Sequence, residues 1–462
     1  MIRHIGLLFL LPLAACTAGS DYRPPAITTA PAWRGPPSVP PGAEGPWWKG
    51  FRDPDLDRLI EIALAQNLDI EQALARVDQA RAALRAAGVA RLPGGAIEAS
   101  AARTRQSTET GLGQLVGLAP GIDRGVSQFD LSAGASWELD LAGGLRRGRE
   151  AAAYEYEAAE ATGAAIRLTV AGEVADAYAQ LRAFQAQLAI ARVQADSASK
   201  LAQLVGQRLA LGDASRREAE QATAAAEGAR AAIAPLDAGI EAQLNRLAVL
   251  LGREPQADRL GLEAPMPVPQ AALAGAGAPA QLLRRRPDLV AAERRLAASH
   301  ARIGVALAEY YPRLSLSALL GFRSNAASNL LSDGANMIQG AAGLRWRLFD
   351  FPRIDAEVAR ARGVEREAIA AYRQAALRAA EEVETSFAAF AQNRARTELL
   401  SRQVAAQQRA RNLARAAWQA GEISLIDLIQ EDDRLLAART ALAGAEAEAA
   451  RSLIAFHRAL GG

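Results

Sequence analysis

The chain has 462 residues, with 53 basic and 51 acidic side chains and a formal net charge of +2 at pH 7. A surface with this balance offers no continuous positive field to a phosphate backbone, so a nucleic-acid partner is not expected. One cysteine and three dispersed histidines give no support for a disulfide, a zinc site or a haem site. Half of the residues are hydrophobic but only 5% are aromatic, a composition that favours thin, closely packed helices.

The first residues have the organisation of an export signal. Arg3 precedes an apolar run from Ile5 to Ala15 that is too short to span a bilayer as a helix. The run ends in Leu13-Ala14-Ala15-Cys16, which resembles a bacterial lipobox, where the cysteine is acylated and becomes the mature N-terminus. We predict a signal peptide at 1–15 and lipidation, including palmitate, at Cys16. The alternative is an ordinary signal peptide that happens to end at a cysteine.

The segment after the signal is expected to be extended. Eight prolines lie between Pro24 and Pro46, which is typical of a weakly ordered strap, so we assign 16–50 as a lipid-anchored N-terminal segment. By resemblance to bacterial lipoproteins, an aspartate directly after the cysteine would favour the inner membrane. This chain has Thr17 there, which indicates the outer membrane.

Long stretches without a helix breaker follow. No proline falls between Pro120 and Pro235, and none follows Pro352. In the first stretch, apolar positions step alternately by four and three residues, the period of a coiled-coil seam. The seam consists of Val170, Val174, Ala177, Leu181, Phe184, Leu188 and Ala191. A helix over about 145–211 would be roughly 100 Å long, unless unrecognised breaks divide it into a bundle of ordinary helices.

Four segments alternate between apolar and polar residues, which predicts β-strands. The clearest runs from Phe129 to Leu139, and the others cover Leu314–Phe322, Ala342–Leu348 and, more weakly, Ile97–Arg103. They form two predicted hairpins, near 95–140 and near 313–349. Strands of about 10 residues with one apolar and one polar face are typical of outer-membrane barrels.

Landmarks recur at a constant offset, which indicates a duplication. Trp137 and Trp346, Gly212 and Gly421, and Ser215 and Ser424 are each separated by 209 residues. Each repeat reads as helix, β-hairpin, long helix, glycine turn and long helix. We predict a first repeat at 51–260, a Pro/Gly-rich linker at 261–280 and a second repeat at 281–462.

Four strands cannot close a barrel, and open edges in hydrocarbon would leave backbone groups without partners. Two copies would give eight strands and an interior filled by side chains, whereas three copies would give twelve strands and a lumen. The pattern therefore predicts a homotrimer.

Four segments carry a resemblance to a known family, and together they cover nearly the whole mature chain. They are Asp21-Tyr22-Arg23-Pro24, Trp47–Val77, Leu282–Leu316 and Ala420–Arg434. In this order they resemble the TolC-like outer-membrane efflux proteins, specifically the lipoprotein branch that serves tripartite pumps.

The resemblance implies a mostly α fold with a small β part, in which long antiparallel coiled coils form a helical barrel below a trimeric twelve-stranded outer-membrane β-barrel. It also implies a passive exit duct for drugs or metal ions that works with a periplasmic adaptor and an inner-membrane RND-type transporter. We find no catalytic, cofactor or metal site in the sequence, so an enzyme is not expected. A duct for type I protein secretion and a lipid-anchored coiled-coil scaffold without a pore are the alternatives.

Gly212 and Gly421 are predicted to end long helices, because a glycine just past the last turn is a helix C-cap signal. Ser215 and Ser424 then stand where new helices would be N-capped. These positions mark two helical-hairpin tips, near 212 and near 421.

A gate is expected just beyond the second tip, because the resemblance implies an acidic ring there. Asp427 matches one family aspartate, but Gln430 stands where many relatives carry another, so the constriction rests on Asp427 or shifts to Glu431. Trp418 occupies the place of an aromatic tip residue. The alternative is a solvated helix start in which the helix dipole favours acidic side chains.

Overall fold

The structure is a computed structural model. It describes residues 17–27, 30–35, 46–105, 107, 109–110, 124–255, 261–262, 264, 266–271 and 285–462. The predicted signal peptide, the lipidation site Cys16 and part of the predicted linker lie outside the described residues.

Helices make up most of the described chain. They are α1 (Pro54–Gln66), α2 (Leu68–Val89), α3 (Gly144–Ala210), α4 (Arg216–Ala231), α5 (Ile233–Leu250), α6 (Pro287–Ala308), α7 (Phe351–Gln419) and α8 (Leu425–Leu460). Within the described part of the chain, none of these helices combines the length and the apolarity needed to cross a bilayer.

The long uninterrupted helices predicted from the absence of proline are confirmed. Helix α3 has 67 residues and α7 has 69, so each extends over roughly 100 Å at about 1.5 Å per residue. The predicted seam of α3 is buried at Val170, Val174, Ala177, Leu181, Leu188 and Ala191, whereas Phe184 is half-buried. The 3.5-residue period therefore marks the packed side of the helix.

The predicted mixture of helices with four strands is also confirmed. Strands β1 (Gly94–Arg105), β2 (Gly125–Leu139), β3 (Arg313–Ser324) and β4 (Asn336–Arg345) form one antiparallel sheet in that order. The β2–β3 register, with Trp137 opposite Leu316 and Ala133 opposite Leu320, keeps apolar residues on one face of the sheet.

The last strand begins and ends earlier than its alternation predicts. Alternation runs from Ala342 to Leu348, whereas β4 runs from Asn336 to Arg345. The next two side chains turn to other partners: the Trp346 indole donates to the Tyr310 carbonyl over 2.9 Å, and Arg347 pairs with Glu309 at 3.1 Å. These contacts take the place of further ladder bonds, so alternation places the end of the strand three residues too far along the chain.

An equivalent indole contact occurs in the first repeat. Trp137 donates to the carbonyl of Arg91 over 2.9 Å, just as Trp346 donates to Tyr310. Both carbonyls lie two residues before a proline that precedes a strand, at Pro93 and Pro312. The two halves thus repeat a specific side-chain contact as well as a sequence spacing.

The chain divides into two compact units, and each takes segments from both predicted repeats. Of the described residues, the first contains those up to 25, in 78–158 and in 293–371, including the sheet, whereas the second contains those in 26–77, 159–292 and 372–462. The second unit holds the main hydrophobic core, where Leu56, Val174, Leu247, Val383 and Phe456 pack together. The compact units are therefore distinct from the sequence repeats, and the division at 51–260, 261–280 and 281–462 stays a prediction.

Candidate functional site

Both predicted tips are glycine turns that close a long helix. Gly212 and Gly421 have φ of +82° and +80°, in the left-handed region where a residue without a Cβ carries no steric cost. At the first tip, the Asp213 amide donates to Arg208 over 2.8 Å, and at the second, the Glu422 amide donates to Ala417 over 2.9 Å. Each contact satisfies a carbonyl that the ending helix leaves without an intrahelical donor.

A reciprocal cap starts the helix after each turn. The Ser215 amide donates to the Glu218 carboxylate over 2.7 Å, and the Glu218 amide donates to Ser215 Oγ over 3.2 Å. Ser424 and Asp427 repeat this arrangement at 3.0 and 3.3 Å. Both pairs form a capping box, which satisfies two backbone donors that would otherwise lack a partner.

The caps also change the acidity of the two carboxyls. Hydrogen bonds from the Ser215 backbone and side chain lower the pKa of Glu218. Hydrogen bonds from the Ser424 side chain and backbone lower the pKa of Asp427. Asp427 is therefore held in its ionised form as part of the helix start.

Three of the four predicted gate residues share one stripe of α8 with Arg434, whereas Trp418 lies in α7. Asp427, Gln430, Glu431 and Arg434 are spaced by three or four residues, which places them on the same side of a helix. Asp427 and Gln430 are exposed, and Glu431 is half-buried. Arg434 donates to the Glu431 carboxylate, so this arginine compensates the charge of Glu431, whereas the Asp427 carboxylate accepts hydrogen bonds from the neutral Ser424.

Two neighbouring acids link α8 to other helices. Arg411 of α7 donates to Asp432 over 2.7 Å, and both side chains are about one-quarter exposed. Gln194 of α3 donates to Asp433 over 3.3 Å. Partial burial raises the pKa of Asp433, and the nearby Asp432 contributes to the increase. These links tie the second return helix both to its own outward helix and to the first hairpin.

The partners Arg411 and Gln194 were not identified from the sequence. A signal for Arg411 existed, because residues at nearly equal distances from a hairpin turn face each other: Arg411 lies ten residues before Gly421 and Asp432 eleven after it. Trp418 lies half-buried in the last turn of α7, where its carbonyl accepts from the Gly421 amide over 3.0 Å.

The chain immediately after Cys16 is held in place. The Ala18 amide donates to Ala142 over 2.8 Å. Arg147, with a side chain only 5% exposed, donates to the carbonyls of Ala18 and Gly19 at 3.2 Å each and to the Asp21 carboxylate at 3.0 Å. A buried arginine thus fixes the start of the predicted strap.

The two faces of the sheet differ in chemistry. On β2 the apolar side carries Leu131 and Ala133, whereas Asp130 belongs to the polar side. The Asp130 carboxylate accepts from Arg323 of β3, from Gln128 over 2.8 Å and from Ser100 of β1 over 3.5 Å. The polar side is therefore joined across three strands by its own hydrogen bonds.

The model of the family described as outer membrane efflux protein matches residues 59–253 and 278–462 of this chain. The chain belongs to the outer membrane efflux protein family. Among its relatives, the pyoverdine export outer membrane protein OpmQ of Pseudomonas aeruginosa is 31% identical over 421 residues, which cover 90% of this chain and 87% of that protein.

Solved structures agree with this membership over nearly the whole chain. The outer-membrane channel OprN is 33% identical, with a TM-score of 0.85 over 97% of this chain and 99% of that one. The Neisseria gonorrhoeae MtrE outer membrane channel, solved in its open state, is 26% identical, with a TM-score of 0.84 over 97% of this chain and 98% of that one. This outer membrane efflux protein therefore has the fold of outer-membrane channels.

Among the residues that the structure describes, no group of three or more His, Cys, Asp or Glu side chains could hold a metal ion. The acids near the second tip are instead distributed between a helix cap, an ion pair within α8 and contacts with α7 and α3.

Proposed function

We propose that this protein is the outer-membrane exit duct of a tripartite efflux pump, in which three copies share one barrel and conduct small molecules passively to the exterior. The observation that carries this proposal is the four-stranded sheet with one apolar face, one polar face and edge strands β1 and β4. Backbone groups in hydrocarbon need hydrogen-bond partners, so strands of other copies should cover these edges. Three copies supply twelve strands, which leaves a lumen lined by the polar face.

The partners in this proposal are a periplasmic adaptor at the helical tips and an inner-membrane RND-type transporter. Family membership supports this assembly, as do the exposed turns at Gly212 and Gly421 that close the longest helices. The cargo would be small molecules such as drugs or metal ions, selected mainly by the transporter. The relative OpmQ is named for pyoverdine export, which is compatible with small-molecule cargo.

The N-terminal lipid anchor belongs to the same proposal. Acylation of Cys16 would attach the mature N-terminus to the outer membrane, and the contacts of Arg147 with residues 18–21 would hold the anchored segment against the protein. A single acyl chain binds a bilayer only marginally, whereas the barrel adds a second and stronger attachment.

Purification from outer membranes and recording in planar bilayers test the duct. We expect a heat-modifiable, detergent-requiring trimer that opens discrete ion-conducting channels. A protein that is monomeric in lipid, or a water-soluble and purely helical ectodomain, would contradict the proposal. Mass spectrometry of the mature N-terminal peptide separately tests acylation of Cys16.

We further propose that Asp427, rather than Glu431, forms the anionic ring at the mouth. Glu431 is compensated by Arg434, whereas the Asp427 carboxylate is exposed and remains ionised. If three such carboxylates converge to about 8 Å, each pair repels by about 2 kcal/mol at an effective dielectric of 20. Divalent cations or protons would relieve this repulsion and favour the closed mouth, and docking of the adaptor would open it.

Conductance of Asp427→Asn channels tests the gate. The substitution removes the charge, so we expect low conductance even without divalent cations and no further response to them. Ser424→Ala is the matched control, because it removes the cap hydroxyl and keeps the charge, and its cation response should persist. Unchanged conductance and cation response in Asp427→Asn would exclude Asp427. Loss of the response in Glu431→Gln alone would assign the ring to Glu431.

A further inference from the structure

Two arginines follow the apolar residues on one face of β1. Ile97, Ala99 and Ala101 lie on one face of this strand, and Arg103 and Arg105 are the next two residues on the same face. Successive same-face residues on a strand are about 7 Å apart. Both arginines are exposed, and they lie opposite the small residues Ser127 and Gly125 of β2. The two guanidinium groups therefore have open space on the apolar side of the sheet.

The register places this pair just beyond the apolar band. Ala101 lies opposite Phe129, so Arg103 is one same-face step past that aromatic residue, and Arg105 is two steps past it. Phe322 of β3 pairs with Leu131 and belongs to the same apolar band. Aromatic residues at the rims of an outer-membrane barrel mark the boundary between hydrocarbon and headgroups. In a barrel of this kind, the two arginines would lie at headgroup level.

The strand connections identify the end of the sheet. Helices α2 and α3 join the other end of the first hairpin, before Gly94 and after Leu139. Arg105 and Gly125 face the hairpin loop. If the helices extend into the periplasm, as the proposed function requires, this loop end faces the exterior. The headgroups next to Arg103 and Arg105 would then belong to the outer leaflet, which in Gram-negative bacteria consists of lipopolysaccharide.

Arginines on the two faces of this sheet have different surroundings. On the polar face, Arg323 donates to Asp130 within the sheet. For Arg103 and Arg105, the described residues provide no carboxylate partner. An arginine at a membrane interface without a carboxylate partner among the described residues is suited to an anionic headgroup, because its planar fork binds phosphate through two parallel hydrogen bonds.

We propose that Arg103 and Arg105 form a lipopolysaccharide site on the outer surface of the duct, in which their guanidinium groups bind phosphate of the lipid A disaccharide. The acyl chains would lie along the apolar stripe of Ile97, Ala99 and Ala101. Basic clusters next to a membrane surface bind anionic lipid headgroups by the same physical mechanism. The proposal rests on the proposed function, because it assumes a barrel whose apolar face contacts lipid.

Native mass spectrometry of the purified full-length trimer, titrated with bis-phosphorylated lipid A, tests this site. We expect lipid A binding to weaken by about tenfold or more in the Arg103→Gln/Arg105→Gln double variant, since each arginine contributes charge-assisted hydrogen bonds. The control Arg345→Gln neutralises an exposed arginine on the opposite face and at the other end of the sheet, so it should bind lipid A as the wild type does. Lipid A without phosphates should bind the wild type as weakly as it binds the double variant.

Two outcomes would overturn the site. Equal binding of lipid A by the wild type and the double variant excludes the arginines. Alternatively, a carboxylate of a neighbouring copy could form an ion pair with Arg103 or Arg105. Asp333 lies three residues before β4, the strand that would pair with β1 of the next copy. In that case Arg103→Gln/Arg105→Gln and Asp333→Asn would both lower the melting temperature of the trimer, and lipid A binding would not change.

Channel recordings keep this test separate from the proposed function. If the wild type forms trimeric channels but the double variant binds lipid A normally, only the lipid site is wrong. If the wild type forms no channels, the duct itself is wrong.

Discussion

The first helical hairpin runs out along α3 and returns along the two helices α4 and α5, whereas the second runs out along α7 and returns along the single helix α8. The break in the first return falls at Ala232, and Pro235 is the third residue of α5. Proline is tolerated in a first turn because its missing N–H would have no helical partner there. The equivalent position 209 residues later is Gly444, in the interior of α8. One proline thus accounts for the different return limbs.

The two tips have the same backbone turn and helix cap, but they differ in the ion pairs next to the turn. Ser215 with Glu218 and Ser424 with Asp427 make the same capping box. The ion pair of Arg411 with Asp432 has no counterpart at the first tip, where the equivalent residues are Ala202 and Thr223. Both hairpins therefore turn with the same glycine and capping box, whereas the ion pair between Arg411 and Asp432 is a feature of the second hairpin. This asymmetry supports the proposal that the gate lies at the second tip.

The largest expected effect comes from giving the second hairpin the break of the first. Gly444→Pro places proline inside α8, which should destabilise the folded state by about 3 kcal/mol. The thermal midpoint of the purified trimer measures this loss. Gly444→Ala is the control, because its Cβ would meet Gln187 Nε2 at an ordinary 3.5 Å. If both variants have the same thermal midpoint, α8 tolerates a break at this position, and the continuity of the helix does not contribute to stability.

A smaller effect, equal at the two tips, is expected from removing the caps. Ser215→Ala and Ser424→Ala each remove an N-cap hydroxyl and should cost about 1 kcal/mol. Hydrogen exchange of the amides in the first turns of α4 and α8 measures the local opening. We expect faster exchange only at the altered tip and by a similar factor in each variant. A much larger change at one tip would show that the capping boxes are not equivalent.

Periodicity and turn chemistry predicted the elements of this fold well. Alternation identified the strands from Phe129 and Leu314, the four-three spacing identified the buried side of α3, and glycines identified both tips. These are properties of neighbouring residues along one chain, so a single sequence contains them. The acids of the second tip could be identified in the same way, as could the capping pattern of Ser424 with Asp427.

Partners across helices could not be predicted in the same way. Arg182 is the clearest example: an arginine on a helix is usually solvated, yet this side chain is only 1% exposed. It donates to Asp55 over 3.2 Å and to the Ala264 carbonyl over 2.8 Å, and it lies over the Tyr178 ring. Its burial depends on how α3 packs against α1 and against Leu262 and Ala264, which no local pattern specifies. Gln194, which donates to Asp433 from another helix hairpin, was missed for the same reason, whereas the position of Arg411 relative to Gly421 did carry a signal.

A double-mutant cycle on Arg411 and Asp432 measures the contact that distinguishes the second tip. Arg411→Gln, Asp432→Asn and the double variant should show a coupling of about 0.5 kcal/mol, because partly exposed ion pairs contribute little. Urea unfolding of the trimer provides the free energies. Arg394 and Glu398, an exposed pair within α7, provide a control cycle with a coupling no larger than this. A coupling of zero between Arg411 and Asp432 would show that this ion pair does not stabilise the second tip relative to the first.

The smallest effect is a difference in how the two caps respond to acid. Each capping carboxyl has its pKa lowered by folding, so its contribution is present above the ordinary pKa and is lost as the pH falls toward the depressed value. The loss should begin near pH 4.5 for Glu218 and near pH 3.8 for Asp427, their ordinary pKa values.

Asp433 acts in the opposite direction at the second tip. Partial burial raises its pKa, so protonation of this carboxyl favours the folded state as the pH falls. Hydrogen exchange across this range, corrected for the intrinsic pH dependence of exchange, should therefore show α4 losing protection at a higher pH than α8. The variant Glu218→Asp should move the first tip toward the behaviour of the second, because it brings an aspartate to the N3 position of α4. If α8 opened first instead, the acids beyond Asp427 would dominate the response, and the caps would not control how the tips respond to acid.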